Sequence, residues 1–513
     1  MKNILSMYCM LSCFVAKGQV FQKVFKTIAP AGFDCNTVFK TTDGGYIISG
    51  NKGYYQGSVD AALIKIDSVG DYVWSKVYES VSGYTYGRSM IQDGDSAYII
   101  AGQNSAGDRL TLIKINSDGD IMWSTVYEDP AFDIVPNKIQ KTSDGNFILL
   151  FRRLSGGIGD AGMMKFDGAG NILWSRLYLE TFDADFIELE NGDIIIASLL
   201  HSVSQPFHPV LIKTDANGNF LWRKAYNFPN SIGSPFPICK TGDNGILMAP
   251  GSDSTIGGNV INALVKLDSA GNVLWSNNYL GSGYAEIIKL VTNGGFFIGS
   301  IKNDSITYDY DILVYRVDST GTPEMSKIYG DDFHRESAQD FVTDSDNGYI
   351  MISNRDTVFG VTPTGNILIV KANSTGYSGC NETPNSITKT AYTTTSWNLS
   401  LVEDTLAVTP DTITFNITTD GNMGTLCVTD GIEEEYFKSL EIYPNPTTGL
   451  FKLEFNGTVQ KIQIFNMLGE IVLQEEATGK NEIQIDLSKN PPGIYFVRIS
   501  SGEKIFSRKV IKQ

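Results

Sequence analysis

The chain is poor in the residues and motifs of acid–base and metal catalysis. Its 513 residues include three histidines and six cysteines, and it contains no Cys-x-x-Cys, His-Glu-x-x-His, Walker or Gly-x-Ser-x-Gly motif. These absences disfavour a zinc peptidase, a P-loop nucleotidase and an α/β-type serine hydrolase. We therefore assign no catalytic, cofactor-binding or metal-binding residue, and we expect no cofactor.

Long apolar runs and basic clusters are also missing. Beyond the N-terminus, no apolar run reaches the roughly 18 residues of a membrane-spanning helix. The net charge is −17 and the pI is about 4.7, without a long cluster of Lys and Arg. Because phosphate recognition needs a basic surface, nucleic acid is disfavoured as a partner, and so is an anionic membrane. The acidity is typical of a protein kept soluble outside a cell.

The N-terminus has the features of an export signal. Lys2 precedes a mostly apolar run at residues 4–15, and Ala16-Lys17-Gly18 places small residues where a signal peptidase reads them. A signal peptide over residues 1–18 is predicted, with cleavage before Gln19. The alternative is lipidation at Cys13, because Met10-Leu11-Ser12-Cys13 resembles a lipobox.

Four cysteines remain after the signal is removed. Cys35, Cys239, Cys380 and Cys427 permit three pairings, between which sequence alone does not decide. Cys380 and Cys427 flank one Thr/Ser-rich segment. They are the best candidate disulfide for an oxidising compartment.

Five similar phrases show that the chain is repetitive. Trp74, Trp123, Trp174, Trp222 and Trp275 follow one another at intervals of 49, 51, 48 and 53 residues, in phrases such as LIKIDSVGDYVWSKVY. Each unit holds four short apolar runs bounded by Asp-Gly, Asn-Gly or Gly-Asn pairs, the pattern of strands and turns. Four antiparallel strands per unit of about 50 residues is typical of a β-propeller blade.

A cationic residue recurs on the third strand of each unit, and its seven copies indicate seven blades. The series is Lys65, Lys114, Lys165, Lys213, Lys266, Arg316 and Lys371. The Trp strand recurs only five times, with Met325 in place of the sixth Trp. The seventh copy is residues 20–25 (VFQKVF), so the N-terminal strand should complete the last blade and remove an exposed sheet edge. The prediction is an all-β fold with a seven-bladed β-propeller over residues 19–373, closed by its N-terminal strand.

The repeated residues have structural and functional interpretations. The Asp-x-x-Gly segments resemble calcium loops, but they lack a distal bidentate Glu, which favours hairpin turns. The tryptophans could stack on sugars, but their recurrence in every unit favours packing between sheets. The lysine ammonium groups are expected to reach water or a neighbouring carboxylate.

The phrase [LIV]-K-[IL]-D-x-x-G-[ND]-x-x-W-S resembles the SBBP-type β-propeller repeat of secreted bacterial proteins. It is more distantly similar to the tryptophan repeats of quinoprotein dehydrogenases. The first resemblance implies a fold and no particular activity. The second implies a quinone-dependent dehydrogenase, which typically has eight blades and a calcium ion beside the quinone.

A ligand is expected on the irregular loops of one propeller face or at the channel mouth. The candidates are residues 201–209, 253–260, 303–311 and Phe333-His334-Arg335. His201 and His208 could bind a metal there, although solvent-exposed loop histidines are the simpler interpretation. The carboxylates in and beside these loops include Asp309, Asp311, Asp331, Asp332 and Glu336.

The tail differs from the repeats. Residues 374–437 are rich in Thr, Ser and Asn, which indicates a connector or a small β segment. Residues 438–513 alternate like half-buried strands, which predicts a small immunoglobulin-like sandwich. The characteristic positions of its motifs are Tyr443, Pro444, Asn445, Pro446, Gly449, Gly469, Gly493 and Tyr495.

These motifs, in this order and at the C-terminus, resemble the type A sorting domain of the type IX secretion system of Bacteroidetes. The resemblance implies passage through the outer membrane by this machinery, cleavage of residues 438–513, and release or anchoring at the cell surface. The leading hypothesis is a secreted or surface binding protein for an unknown glycan or protein. The alternatives are a polysaccharide-active enzyme using carboxylates of the propeller face and the quinone-dependent dehydrogenase.

Overall fold

The computed structural model is built from β-strands in two compact units, residues 1–429 and 430–513. The structure describes residues 20–26, 32–53, 59–94, 96–105, 109–129, 132–155, 158–179, 181–202, 205–227, 236–256, 259–292, 294–303, 310–330, 334–344, 346–357, 365–401, 403–404, 409–419, 422–429, 440–455, 461–466, 471–476, 482–501 and 504–513. The predicted signal peptide lies outside these residues. Among those described, no helix combines the length and apolarity needed to cross a membrane.

The repeats form seven antiparallel sheets, preceded by β1 (Val20–Lys26). Sheet 1 contains β2 (Phe33–Lys40), β3 (Tyr46–Lys52), β4 (Asp60–Ile66) and β5 (Tyr72–Ser80), and sheet 2 contains β6 (Thr85–Asp93), β7 (Ala97–Asn104), β8 (Arg109–Asn116) and β9 (Ile121–Glu128). Sheet 3 contains β10 (Asp133–Lys141), β11 (Phe147–Ser155), β12 (Ile158–Phe166) and β13 (Ile172–Tyr178), and sheet 4 contains β14 (Thr181–Glu188), β15 (Ile194–Ser202), β16 (Gln205–Thr214) and β17 (Phe220–Asn227). Sheet 5 contains β18 (Ile238–Lys240), β19 (Ile246–Met248), β20 (Gly251–Ile256), β21 (Asn259–Leu267) and β22 (Val273–Leu280). Sheet 6 contains β23 (Tyr284–Leu290), β24 (Phe296–Asn303), β25 (Tyr310–Val317) and β26 (Pro323–Tyr329). Sheet 7 contains β27 (His334–Thr343), β28 (Tyr349–Thr357) and β29 (Asn366–Ala372).

The N-terminal strand completes sheet 7, as the sequence predicts. β1 pairs with β29, with Phe21 opposite Lys371 and Phe25 opposite Ile367. Both Phe21 and Phe25 are fully buried. The first and last parts of the repeat region are therefore joined by a sheet ladder.

Each sheet packs against the next, and the seventh packs against the first. Apolar clusters join sheets 1 and 2, 2 and 3, 3 and 4, 4 and 5, 5 and 6, and 6 and 7. A further cluster brings Phe33 and Ile48 of sheet 1 together with Ile350 of sheet 7. The Val38 amide also donates to Asp340 Oδ2 of sheet 7 at 3.1 Å. The order of contacts is thus cyclic.

The tryptophans pack between sheets, in the position that the repeat predicts. The Trp174 ring of sheet 3 covers Gly218 in a turn of sheet 4, where a Cβ would lie 2.8 Å from the ring. The seven equivalent pairs are Trp74–Gly119, Trp123–Gly170, Trp174–Gly218, Trp222–Gly271, Trp275–Gly321, Met325–Gly376 and Phe21–Gly70. Met325 and Phe21 therefore occupy the same position as the tryptophans.

The Thr/Ser-rich segment extends all seven sheets instead of forming a separate element. We call residues 382–429 the belt; its strands are β30 (Glu382–Pro384), β31 (Thr388–Ala391), β32 (Thr395–Leu399), β33 (Glu403–Asp404), β34 (Thr409–Thr412), β35 (Phe415–Thr418) and β36 (Asn422–Thr429). These pair in order with β26, β22, β17, β13, β9, β5 and β1. The belt therefore pairs with sheets 6, 5, 4, 3, 2, 1 and 7 in turn; sheet 5 gains a sixth strand, and each of the other sheets gains a fifth.

Serines that follow the repeat tryptophans attach the belt. The Ser124 hydroxyl donates to the Ile413 carbonyl at 2.5 Å, and the Ser276 hydroxyl donates to the Tyr392 carbonyl. In sheet 4 the equivalent residue is Arg223, which donates to the Ser400 carbonyl at 3.2 Å. Bonds of this kind satisfy belt carbonyls at a sheet edge that would otherwise be open.

The C-terminal unit consists of two sheets. Its strands are β37 (Leu440–Tyr443), β38 (Leu450–Phe455), β39 (Lys461–Phe465), β40 (Ile471–Glu476), β41 (Glu482–Asp486), β42 (Gly493–Ser501) and β43 (Lys504–Lys512). The sheet orders are β37-β38-β41 and β40-β39-β42-β43. Alternate residues of both sheets form one apolar core, which includes Leu453, Ile464, Ile485 and Val497.

Candidate functional site

A cavity of about 860 Å³ lies where the first strands of the seven sheets converge. Residues from β2, β6, β10, β14, β23 and β27 line it, together with residues 236–238 at the start of sheet 5. A volume of several hundred Å³ is typical of small-molecule sites. Every sheet therefore contributes to the walls of this cavity.

A β-bulge recurs at the same place in six of the first strands. The register shift in each strand falls on one residue, namely Asn36, Arg88, Asn137, Ala184, Glu286 and Gln339. The five of these residues whose side chains are described line the cavity. We call Asn36, Arg88, Asn137, Glu286 and Gln339 the bulge ring. Bulges redirect side chains and are over-represented beside binding sites.

The residue after three of the bulges ties neighbouring sheets together. Asp185 Oδ2 accepts from the Ile238 amide at 3.0 Å, and Ser89 Oγ accepts from the Ile139 amide at 3.3 Å. Asp340 makes the equivalent bond to sheet 1. These side chains therefore hold the first strands in place.

Two ion pairs balance most of the charge in the cavity. Lys138 pairs with Asp185 across sheets 3 and 4, and Lys289 Nζ lies 2.8 Å from Asp340 Oδ1 across sheets 6 and 7. Arg88 stacks on Tyr86, with 4.2 Å between Cζ and the ring centroid. Glu286 is the remaining ionisable residue of the lining, so the six formal charges sum to zero when its carboxyl is ionised.

Glu286 is the distinctive group of the bulge ring. Its side chain is exposed to the cavity, and among the described residues it forms no hydrogen bond or ion pair. Protein surrounds the carboxyl, and the resulting loss of solvation raises its pKa to about 7. At neutral pH this group can therefore either donate or accept a hydrogen bond.

The other bulge-ring side chains supply mixed hydrogen-bonding groups. The Asn36 amide donates to the Gly87 carbonyl at 2.7 Å, and the Gln339 amide donates to Ser337 Oγ at 2.8 Å. Their amide oxygens are hydrogen-bond acceptors. In the described part of the chain, no group of three or more His, Cys, Asp or Glu residues is arranged to hold a metal ion.

The loops favoured by sequence lie largely outside the described side chains. Within residues 201–209, the His208 ring packs against Trp397 of the belt, with 5.2 Å between centroids. The side chains of residues 253–260 lie outside the described set, as does that of His201. The assignment of these loops as ligand sites stays a prediction.

The last predicted loop is described in part. His334 Nδ1 lies 2.9 Å from Arg355 Nη2, and Arg335 lies over the Tyr310 ring at 5.5 Å. Arg355 Nε is 3.4 Å from the buried Glu336 carboxylate. Phe333, Asp309, Asp331 and Asp332 lie outside the described residues. The described contacts are those of a buried ion pair between β27 and β28.

The other repeated residues have structural partners. Lys114, Lys165, Lys213 and Lys266 each pair with an Asp of their own sheet at 2.7–2.8 Å. The Asp-x-x-Gly segments form turns, as predicted. In one of them, Asp167 Oδ1 accepts from the Ala169 and Asn171 amides at 2.9 Å.

Cys380 forms a disulfide, whereas Cys35 and Cys239 are free thiols. Cys427 lies on β36 with its backbone opposite Gln22. The Gln22 side-chain amide donates to the Cys380 carbonyl and to Ser378 Oγ. The pairing of Cys380 with Cys427 stays a prediction.

Three of the motif residues of the C-terminal unit, Asn445, Gly493 and Tyr495, lie beside its last strand. The peptide bonds preceding Pro444 and Pro446 are cis, and Asn445 Oδ1 accepts from the Ile511 amide at 2.9 Å. The Tyr495 hydroxyl donates to the Pro491 carbonyl at 2.6 Å. Gly449 has a φ of 130° and backbone contact with Ser488, Gly493 begins β42, and Gly469 lies outside the described residues.

Residues 441–513 match the secretion system C-terminal sorting domain. This sorting domain indicates type IX secretion to the extracellular or cell-surface space. It also implies an interaction with the type IX secretion machinery.

Similarity to characterised proteins is local. The chain is 32% identical over 83 residues to the ulvan lyase NLR42 of Nonlabens ulvanivorans, a match that covers 16% of this chain and 15% of the lyase. A hypothetical protein from Leishmania major has a TM-score of 0.27 at 11% identity, covering 48% of this chain and 87% of that chain. The mannose phosphorylase MPT-4 of Leishmania mexicana has a TM-score of 0.27 at 10% identity, with coverages of 48% and 85%.

The bulge ring and the belt are the features that sequence reasoning missed. A bulge breaks the alternation of a strand by one residue, and short strands hide such a break. The serine after the repeat tryptophans was a visible signal, because it recurs at Ser75, Ser124, Ser175 and Ser276, and at Ser326 after Met325.

Proposed function

We propose that the chain is a secreted seven-bladed β-propeller that binds a polar ligand in its central cavity and that it is not an enzyme. The observation that carries the proposal is the cavity itself, lined by first strands from all seven sheets. The cyclic order of sheet contacts and the β1–β29 ladder support the propeller. In this proposal residues 1–18 are removed on export, residues 19–373 form the propeller, and the segment 374–437 carries the belt. Residues 438–513 direct secretion and are then cleaved.

A polysaccharide-active enzyme is the alternative from a different class. Glu286 could act as an acid or base, since its pKa is raised to about 7. Glycoside hydrolysis, however, needs a second carboxylate available to the substrate. Asp185 and Asp340 are each engaged by a lysine and a backbone amide. The match to the lyase spans 83 residues, 16% of this chain and 15% of the lyase, so it does not carry that activity to this chain.

A quinone-dependent dehydrogenase has less support. The propellers of that family typically have eight blades, and seven repeat sheets are present here. An absorbance scan of the purified protein would test this alternative, because a bound quinone absorbs outside the protein range.

A cavity-filling variant tests the binding proposal. Wild-type protein and Gln339→Trp would be screened against the same arrays of glycans and secreted proteins, after thermal unfolding has shown that the variant is folded. We expect the wild type to bind one class of ligand and the variant to lose that signal. Equal binding by both proteins would place the site outside the cavity and contradict the proposal.

A further inference from the structure

We infer that the bulge ring binds a neutral, hydroxyl-rich ligand, namely an oligosaccharide. The inference deepens the proposed function and rests on it. Its basis is that the same bulge brings a polar side chain to the lining of one cavity from each of five sheets. A bulge leaves its residue outside the ladder. These positions can therefore differ chemically while the strands around them stay paired.

The charge balance of the cavity argues against a strongly ionic ligand. Lys138 and Lys289 are already neutralised by Asp185 and Asp340. A polyanion would meet Glu286 and these two aspartates, while a polycation would meet Arg88 and the two lysines. A neutral ligand displaces none of these pairs.

The remaining groups match hydroxyls. A sugar hydroxyl both donates and accepts hydrogen bonds, as do the side-chain amides of Asn36, Asn137 and Gln339. The Glu286 carboxyl can accept a hydrogen bond from one sugar hydroxyl or from two. Tyr284 also lines the cavity, and an aromatic ring can pack against the apolar face of a sugar ring.

Substitution of Glu286 provides the test, in the full secreted chain. Binding of neutral hexasaccharides of glucose, mannose and xylose would be measured by calorimetry. Glu286→Ala should weaken binding by at least about tenfold, because it removes a hydrogen-bonding group inside the cavity. Glu286→Gln keeps such a group and should stay within about threefold of wild type. Glu190→Gln, at a solvent-exposed turn, is the matched control and should change nothing.

Three outcomes would overturn the inference. The first is that no neutral hexasaccharide binds, and the second is that Glu286→Ala binds as well as wild type. The third is that an amine-bearing ligand binds and Glu286→Gln abolishes it, which would identify a cationic ligand. In the third case the proposed binding function stands and only the ligand class is wrong. Sugar binding that survives both Glu286→Ala and Gln339→Trp would instead contradict the cavity as the site.

A second inference concerns the belt and rests on different observations. We propose that a disulfide between Cys380 and Cys427 closes the belt into a covalent hoop around the seven sheets. Cys380 is disulfide-bonded, and Cys35 and Cys239 are free. Of the other three cysteines, Cys9 and Cys13 belong to the predicted signal peptide.

Both ends of the belt meet at the same residue. The Gln22 side chain binds the Cys380 carbonyl just before the first belt strand, and its backbone pairs with Cys427 on the last one. Between these points the chain passes along the outer strands of sheets 6 to 1. Forming the bond removes two protons and two electrons from two thiols, which a dithiol–disulfide oxidase of the export compartment would accept.

A cleavable belt tests the hoop. A protease site would be inserted between β31 and β32, and the cleaved protein would be run on gels with and without reductant. We expect one full-length band without reductant and two fragments with it, because the bond joins both sides of the cut. Cys427→Ser should give two fragments in both gels, while Cys35→Ser should behave as wild type. Two fragments from the wild type without reductant would refute the pairing.

Discussion

The contact between tryptophan and turn glycine can be measured with a matched pair of substitutions. Gly218 and Gly145 both lie in hairpin turns with positive φ, 77° and 85°. A methyl group at Gly145 would meet no atom within 4 Å, whereas at Gly218 it would lie 2.8 Å from the Trp174 ring. Gly145→Ala therefore reports the cost of the left-handed backbone alone. Gly218→Ala adds the clash between sheets 3 and 4.

The expected magnitudes differ accordingly. A non-glycine residue in the left-handed region costs about 1–2 kcal/mol. Overpacking at a filled contact adds about 1–3 kcal/mol. Gly218→Ala should thus lower the free energy of unfolding by about 1–3 kcal/mol more than Gly145→Ala does.

Tryptophan fluorescence during urea unfolding suits this comparison. All six tryptophans precede residue 430, so the signal reports on the first unit and not on the sorting domain. In a Trp174→Ala background, where the ring is missing, the difference between the two glycine substitutions should shrink, because only Arg176 Cγ, at 3.1 Å, would remain close to the methyl group at Gly218. Equal losses in the wild-type background would refute the interpretation of the tryptophans as contacts between sheets.

Three further predictions concern the belt, the cavity and the sorting domain. Ser276→Ala should lower stability by about 1 kcal/mol and speed proteolysis near Tyr392, since a belt carbonyl loses its donor; equal proteolysis of Ser276→Ala and the solvent-exposed control Ser82→Ala would contradict this. Glu286 has a folded-state pKa of about 7, above its ordinary 4.5, so the folded state binds the extra proton. Stability should fall as pH rises from about 4.5 to 7, by about 1–2 kcal/mol after allowing for water in the cavity; a Glu286→Gln variant with the same pH dependence would refute this assignment. Deletion of residues 438–513 should leave the protein in the periplasm, as fractionation and immunoblotting would show, and normal surface delivery of the truncated chain would refute the sorting role.

Much of the architecture follows from local patterns. The spacing of Trp74 to Trp275 predicted repeated sheets, and the likeness of residues 20–25 to the tryptophan strands predicted the β1–β29 ladder. The alternation in residues 450–511 predicted the strands of the sorting domain. Such signals can be read from the sequence because strand periodicity and turn formation depend on only a few neighbouring residues.

The belt was not predictable in the same way. Its strands are two to eight residues long, and many of their residues are polar, since they pair at the outer edge of sheets already formed. Their partners lie up to several hundred residues away, as for Gln22 and Cys427. Nothing in the local composition of Thr409–Thr412 distinguishes such a strand from a linker.

The sequence alone determined the all-β class, the number of repeats and the sorting tail, because each depends on short-range periodicity or on a contiguous motif. Only the tertiary structure decided which residues share the cavity. Asn36, Arg88, Asn137, Glu286 and Gln339 come from five sheets, and each reaches the cavity because of a one-residue shift in strand pairing. That shift is a property of two paired strands, so it exists only after the sheets have formed.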